Sequence, residues 1–447
     1  MIESLKPATA TPRKYLVAAS IGNAIEWYDF SVYAFFASYI AGNFFVKGDP
    51  TQGLIATFLV FAAGFIARPI GSLVGGLVGD RSGRKAALML SLVTMGAGLF
   101  VIAVAPPVTV IGVAAPILLL LGRLLQGFSV GAEIGGAASY LIEQAPEGKR
   151  AGYTSWLQAT MGIANLMSAV IGLAITSTLP ESAVTGWAWR IPFVFGLIIV
   201  PIALYIRSSL PESEAFKAEG KTASAKQTLK ILIVDNWRNL VAGCFFAVPW
   251  HLFIYCFVVF GPTYYHIATG LKFPSAQTFG ASALGNVCLV IGCLAFGRLA
   301  DRVGRMPVIM ACAAVMVVLP LPCLVVLHAV PTLKVLLIVH SLLCLNVSAL
   351  AGVAPSTLPA AFPATVRATG VSISFNVAAI VAAGFTPALL TWAIGSVSVY
   401  APAILASTGA VICLAATPWL FTRIRTLSTP TTGHGAAQPD AGAPGNH

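Results

Sequence analysis

The chain has 447 residues, of which 57% are hydrophobic and only 9% charged, with a mean hydropathy of +0.87. Soluble domains carry roughly 25% charged residues, so this chain cannot cover a water-facing surface and must have the lipid bilayer as a second solvent. The net charge is +11, but the cations cluster in short segments between long apolar runs rather than in a stripe with aromatics, which excludes nucleic acid as the partner.

A membrane-spanning helix needs roughly 20 predominantly apolar residues. That window predicts six helices over 15–42, 54–79, 86–105, 110–139, 152–178 and 187–208. The first carries Glu26 and Asp29, which the apolar core of a cleaved signal would not tolerate. A stretch rich in Glu and Lys follows. Six more helices are predicted over 238–268, 275–299, 307–328, 333–355, 367–393 and 399–422. The tail from Leu427 is rich in Thr, Pro, Gly and Ala, a composition expected to be disordered. The expectation is an all-α membrane protein of twelve transmembrane helices in two six-helix bundles, 1–208 and 238–423. A cytoplasmic linker, 209–237, joins them, and 424–447 forms a cytoplasmic tail. All eight cysteines fall between Cys244 and Cys413, singly and in apolar stretches, as small buried hydrophobes rather than disulfide or metal pairs.

Arg and Lys counts set the orientation. Lys6, Arg13, Lys14, Arg81, Arg84, Lys85, Lys149, Arg150, Arg302, Arg305, Arg367, Arg423 and Arg425 all fall on one side. The other side holds only Lys47, Lys272 and Lys334. Both termini are expected in the cytoplasm. The chain also repeats itself. Gly76-Leu-Val-Gly-Asp80-Arg81-Ser-Gly83-Arg84 between the second and third helices returns as Gly297-Arg-Leu-Ala-Asp301-Arg302-Val-Gly304-Arg305 at the same place in the second half. Pro146 and Arg150 are echoed by Pro363 and Arg367. Two related bundles around a cleft suit alternating access.

An ionisable side chain at membrane depth costs at least about 2.5–3.5 kcal/mol on insertion scales, so each one is a functional candidate. Glu26 and Asp29 are three residues apart and share a helix face. They suit a proton acceptor or a structural pair. Arg123, mid-span in the fourth helix, can grip a carboxylate through two parallel hydrogen bonds, partner the proton acceptor, or tie two helices together. Arg68, before Pro69, can add positive charge to the cleft or pair with Glu26 or Asp29. Glu133 lies ten residues after Arg123, about 15 Å along the axis, too far to pair with it within that helix. It is read as a proton-coupling group or as packing glue. Gly127, Gly131 and Gly135 form a small-residue ridge for close helix contact. Arg190, after Trp187 and Trp189, is read as an interfacial anchor. The second half offers His251, Tyr255, His340 and Asn376 as polar substrate contacts, with Ser374 and Asn346 beside them. A lone buried histidine is equally a bonded core residue.

The repeated Gly-x-x-x-Asp-Arg-x-Gly-Arg loop resembles the signature of the major facilitator superfamily. Gly22-Asn23-x-x-Glu26-Trp27-Tyr28-Asp29-Phe30, Arg68-Pro69-Ile70-Gly71 and Gly122-Arg123-Leu-Leu-Gln126-Gly127-Phe128-Ser129 are similar to the metabolite:proton symporters within it. Gly131-Ala132-Glu133, with Trp187-x-Trp189-Arg190-Ile191-Pro192-Phe193, is most like the citrate and tricarballylate branch. Ala360 stands where that family usually has Glu, and the tail lacks the heptads of osmosensing members. The resemblance implies the major facilitator fold. It also implies that Asp80, Arg84, Asp301 and Arg305 serve a gate that locks the outward-open state, with Arg84 able to pair with an acid such as Glu143. It implies proton-coupled symport of a small organic anion across the bacterial inner membrane, citrate or another tri- or dicarboxylate leading. An oxoacid, an aromatic acid, a zwitterionic osmolyte, or exchange or export on the same fold are the alternatives. No catalytic constellation, cofactor or metal is expected, and the chain is expected to act as a monomer.

Overall fold

The computed structural model describes residues 13–45, 48–82, 84–145, 148–208 and 230–428. Within these, the side chains of 13–22, 79–81, 84, 132–144, 206–208 and 364 are not described. The expected linker lies outside the described residues up to 229 and the expected tail from 429 on; between them, the last expected helix runs on to Ser428.

The first half comprises α1 (Arg13–Phe35), α2 (Ala37–Phe44), α3 (Pro50–Ser82), α4 (Arg84–Val104), α5 (Val108–Ile111), α6 (Ala114–Gln144), α7 (Arg150–Thr178), α8 (Glu181–Gly186) and α9 (Ile191–Ser208). The second half comprises α10 (Trp237–Phe253), α11 (Gly261–Ile267), α12 (Ser275–Val303), α13 (Arg305–Val318), α14 (Pro320–Ala329), α15 (Leu333–Thr357), α16 (Arg367–Ala379), α17 (Thr386–Ser396) and α18 (Ala401–Ser428). Among the described residues, eleven helices are long and apolar enough to cross a membrane. The α1–α2 pair occupies the remaining expected span and is not one of the eleven.

Several predicted helices are broken, each for a local reason. Gly112 has φ +56, a conformation open to glycine, and it separates α5 from α6 within the predicted 110–139. The predicted 238–268 divides into α10, a wide π-type stretch Ile254–Val259, and α11, whose Pro262 has no N–H to offer the preceding turn. The predicted 367–393 divides in the same way at Ile380–Gly384, ahead of Pro387. Pro320 and Pro322 separate α13 from α14. At the other extreme, α12 runs past its predicted end at 299 and carries Arg298, Asp301 and Arg302 in its last turns.

Within the first half α3 and α4 pack on α6, α1 packs on α7, and α9 packs on α4. Within the second, α12 packs on α15, while α10 and α13 pack on α18. The α3–α6 crossing is unusually close. A methyl group at Gly127 would overlap the carbonyl oxygen of Gly64, and one at Gly131 would overlap that of Arg68. Small residues let backbones approach in this way, and the crossing brings the α3 and α6 arginines near one another.

The halves meet along α7 and α12, which run antiparallel. Gly152 lies against Asp301, Gly162 against Val290 and Gly172 against Phe279, so this seam is closed along its length. Large apolar side chains such as Ile70, Leu73, Phe100, Ile117 and Val381 are exposed on the outside. Glu26, Asp29, Arg68 and Arg123 are buried inside. That distribution is inverted relative to a water-soluble protein and fits a multi-span membrane fold.

Candidate functional site

Asp29 on α1 and Arg123 on α6 meet at the centre of the first half, both with 0% side-chain exposure. Arg123 Nη1 donates to Asp29 Oδ2 at 3.3 Å. It also donates to Gln126 Oε1 at 2.7 Å, and Gln126 Nε2 donates to Asp29 Oδ1 at 2.5 Å. The three side chains close a triangle in which Gln126 bridges acid and base. The guanidinium lies over Tyr33, Phe30 and Phe61, with centroid distances of 4.5, 4.6 and 4.9 Å. Each such cation–π contact is worth about 2 kcal/mol when desolvated. Even so, Arg123 Nε and Nη2 have no hydrogen-bond partner.

Arg68 on α3 is the second buried cation. Its guanidinium lies over Phe65 at 4.1 Å and Phe30 at 4.9 Å, and its Nε has no hydrogen-bond partner. Glu26 and Tyr255 act on it electrostatically, as does Arg123. Phe30 thus sits beneath both guanidiniums. From the second half, Tyr255 packs edge-on against Phe65 and tilted against Phe61, closing the aromatic wall. Tyr255 lies in the wide turn after α10, which turns its ring toward the first half. His251, one turn earlier, donates from Nδ1 to the Ala247 carbonyl at 2.8 Å and packs tilted against Phe375 at 4.5 Å.

Of the two carboxylates expected to act together, Asp29 bonds Arg123, and Glu26 is close enough to Arg68 to act on it electrostatically. Gln126, Tyr33, Phe30 and Phe61 are additions that sequence reading missed. Gln126 was within reach, because it stands three residues after Arg123 and so shares its face. His340 lies apart from this cluster, with Nδ1 3.0 Å from the Tyr265 hydroxyl. Asn376 Nδ2 donates to Ser372 Oγ at 3.3 Å and leaves Oδ1 without a partner. Arg190 lies over Trp189 and donates to the Ala105 carbonyl at 2.9 Å, fixing the turn before α9.

At the end of the molecule that carries the basic turns, Asp301 crosses between the halves. Its two carboxylate oxygens accept from the backbone N–H groups of Ala151 and Gly152, each at 2.8 Å, at the amino end of α7. A carboxylate there satisfies orphan amides and faces the positive end of the helix dipole. Arg305 turns instead to the Ser356 carbonyl at 2.5 Å. The side chains of Asp80, Arg84, Glu133 and Glu143 lie outside the described residues. At the opposite end, Tyr39 donates to Ser275 at 2.9 Å, Phe36 packs on Phe279, and Phe58 packs on Phe260. Contacts between the halves therefore occur at both ends of the molecule. Among the described residues no three His, Cys, Asp or Glu side chains gather as a metal site.

A sequence profile described as Major Facilitator Superfamily matches residues 19–380. The citrate-proton symporter of Salmonella typhi is 35% identical over 423 residues, covering 94% of this chain and 96% of that protein. The proline/betaine transporter of Escherichia coli K12 is 33% identical over 401 residues, covering 86% of this chain and 78% of that one. The xylose transporter XylE of E. coli, in a partially occluded inward-open conformation, superposes with a TM-score of 0.72 at 16% identity. That match covers 92% of this chain and 97% of that one, and it is a likeness of fold alone.

Proposed function

We propose that this chain, which belongs to the Major Facilitator Superfamily, moves a small carboxylate-bearing solute across the bacterial inner membrane together with a proton. It is a transporter and not an enzyme. Citrate, proline and betaine, named for its relatives, all carry a carboxylate.

The observation that carries the reading is the Asp29–Arg123–Gln126 triangle, together with the unpartnered nitrogens of Arg123. A proton on Asp29 removes its charge and frees the Arg123 fork. The solute carboxylate then takes the place of the Asp29 carboxylate, with Nη2 and Nε available for two parallel bonds. Proton and solute thus compensate each other. Neither alone leaves the buried centre neutral, so the cleft closes at low cost only when both or neither are bound. The bundles then rock about their seams, and loss of the proton restores the internal pair and expels the solute. Arg68 and Tyr255 line the same space and are assigned to the solute. His251 and Asn376 lie on the second-half side and are assigned to its polar end.

Charge balance narrows the solute. The described centre holds two guanidiniums, Arg68 and Arg123, against two acids, Glu26 and Asp29. One proton and one carboxylate preserve that balance, as a monocarboxylic acid would supply; a zwitterionic osmolyte brings its own cation and exceeds the balance by a single positive charge. A citrate trianion needs further cations or further protons, for which Glu133 is the proposed carrier. The citrate reading keeps one specific support, the near full-length match to a citrate-proton symporter.

The twelve-span topology, the bundles at 1–208 and 238–423 and the cytoplasmic termini are proposed with it. The basic end is then cytoplasmic, Asp301 on the α7 amino end is a latch of the cytoplasmic gate, and Asp80, Arg84, Glu143 and Arg305 belong to that gate. Uptake into proteoliposomes tests the function. An inward proton gradient should drive accumulation, a protonophore should abolish it, and betaine, proline or an aromatic acid should compete better than citrate. Accumulation indifferent to the protonophore, or competition by no carboxylate, would sink the reading.

A further inference from the structure

The halves meet in two seams, and the internal repeat relates one to the other. The first is α7 against α12; the second is α3 against Ile380–Gly384 and α17. Laying Asp80 on Asp301 places Gly64 on Gly285, Phe65 on Asn286 and Gly71 on Gly292. Laying Arg150 on Arg367 places Arg123 on His340, Gly127 on Cys344 and Asn165 on Ala382. In the α3 seam a Cβ at Gly384 would lie 3.3 Å from the Phe65 ring and 3.4 Å from Ala62 Cα, an apolar contact. In the α7–α12 seam the positions that match Phe65 and Ala382 are Asn286 and Asn165.

These two asparagines lie at one level of their seam. The helices are antiparallel, with Gly162 against Val290 and Gly172 against Phe279. Asn165 stands three residues after Gly162 and Asn286 four before Val290, so each shares the face of its helix that meets the other. Both are fully buried. Asn286 Nδ2 donates to the Ser282 carbonyl at 2.8 Å, and its Oδ1 has no hydrogen-bond partner. Asn165 bonds the Ser31 hydroxyl through one arm of its amide, and the other arm has no partner. Buried polar groups are otherwise hydrogen-bonded, because an unmade bond there is costly. The matching place in the α3 seam shows that apolar side chains can fill such a position.

We propose that Asn165 and Asn286 hold one water molecule between them, a polar bridge from one half to the other at the middle of the α7–α12 seam. The water donates to Asn286 Oδ1. It accepts from Asn165 where that amide presents Nδ2, and donates its second proton where the amide presents Oδ1. Either orientation of the Asn165 amide is therefore satisfied, and two polar partners suffice to hold a buried water. A bridge of this kind is nearly as favourable as a direct bond, so two amides joined through water at one spacing can bond directly at a shorter one. The halves then keep a polar tie while the seam shifts. That consequence rests on the alternating-access reading; the water site does not.

The test is a two-site cycle read as the melting temperature of the purified full-length chain. Asn165→Leu and Asn286→Leu should each lower it, because each leaves the other amide without its water. The double variant, which gives this seam the apolar character of the other, should lose clearly less than the sum of the two. Asn165→Leu combined with Asn346→Leu, whose side chain bonds the Cys312 carbonyl away from the seam, should lose the full sum. Additive losses at Asn165 and Asn286, or coupling as large in the second pair, overturn the water site. So does an experimental structure with the two amides in direct contact and no water density between them. Where a single leucine variant does not fold, recovery of folding in the double variant supports the site. The cycle is then repeated with Asn165→Ala and Asn286→Ala, where additive losses overturn it. Proteoliposome uptake unchanged in the folded double variant would remove the role in the moving seam and leave the water site standing.

Discussion

At the α3–α6 crossing a buried guanidinium is held by an acid and an amide. At the α12–α15 crossing the corresponding place holds an imidazole beside a phenol and a thiol. The backbone framework is shared: Gly64 and Gly285, and Gly71 and Gly292, stand at matching points and touch matching neighbours. The duplicated part is the close approach of two helices, which glycine permits and larger residues forbid. The chemistry placed on it has diverged. A fixed cation in the membrane demands a counter-charge, so Arg123 comes with Asp29. Removing one partner of such a pair costs about 3–5 kcal/mol. The imidazole at the matching place has no charged side chain against it among the described residues, only the Tyr265 hydroxyl and the Cys344 thiol. On the proposed reading, the charged pair that couples to a proton lies in the first half.

The contrast can be broken most severely at Arg123. Arg123→Ala should abolish uptake, by about a hundredfold or more, and leave Asp29 buried without its cation. Adding Asp29→Asn should recover thermal stability but not transport; recovery of both would make the pair structural. Next comes the framework. Gly127→Val drives a branched side chain into the Gly64 backbone and should lower yield and melting temperature sharply. A glycine at Cys344, the matching position, should be tolerated. Equal damage at both sites would undo the claimed difference between the crossings. Asp29→Asn alone should leave solute binding measurable but remove its response to an imposed proton gradient, read as equal counterflow at acid and neutral pH. A retained pH response would move the proton to Glu26 or Glu133. The smallest effect is expected at the basic end. Asp301→Asn weakens a charge-assisted contact worth about 0.3–1 kcal/mol through the helix dipole. It should raise hydrogen exchange of the Ala151 and Gly152 amides a few-fold, with uptake reduced rather than lost. Unchanged exchange would show that Asp301 does not hold the seam.

Much of this could be read along the chain. Hydropathy finds the long helices because a spanning segment must be apolar over a fixed length, and the repeat around Asp80 and Asp301 divides the chain near its middle. The glycine ridge at Gly127 and Gly131 was legible as a packing surface for the same reason: four-residue spacing puts them on one face. The buried acids and arginines stood out against an apolar background.

What linear reading could not reach was who meets whom. Whether Glu26 or Asp29 takes Arg123 depends on the rotation of α1 against α6, which periodicity leaves open; the folded chain puts Asp29 on Arg123. The π-type turn that carries Tyr255 toward the first half arises where Pro262 withdraws a backbone donor, and hydropathy does not register a missing donor. Asp301 finds its partners, the amides of Ala151 and Gly152, in the other half of the chain. Composition and spacing thus determined that this chain crosses the membrane many times as two related halves bearing buried charge. The pairing of those charges was decided by tertiary structure alone, because a buried ion pair depends on distances of a few ångström between helices far apart in sequence.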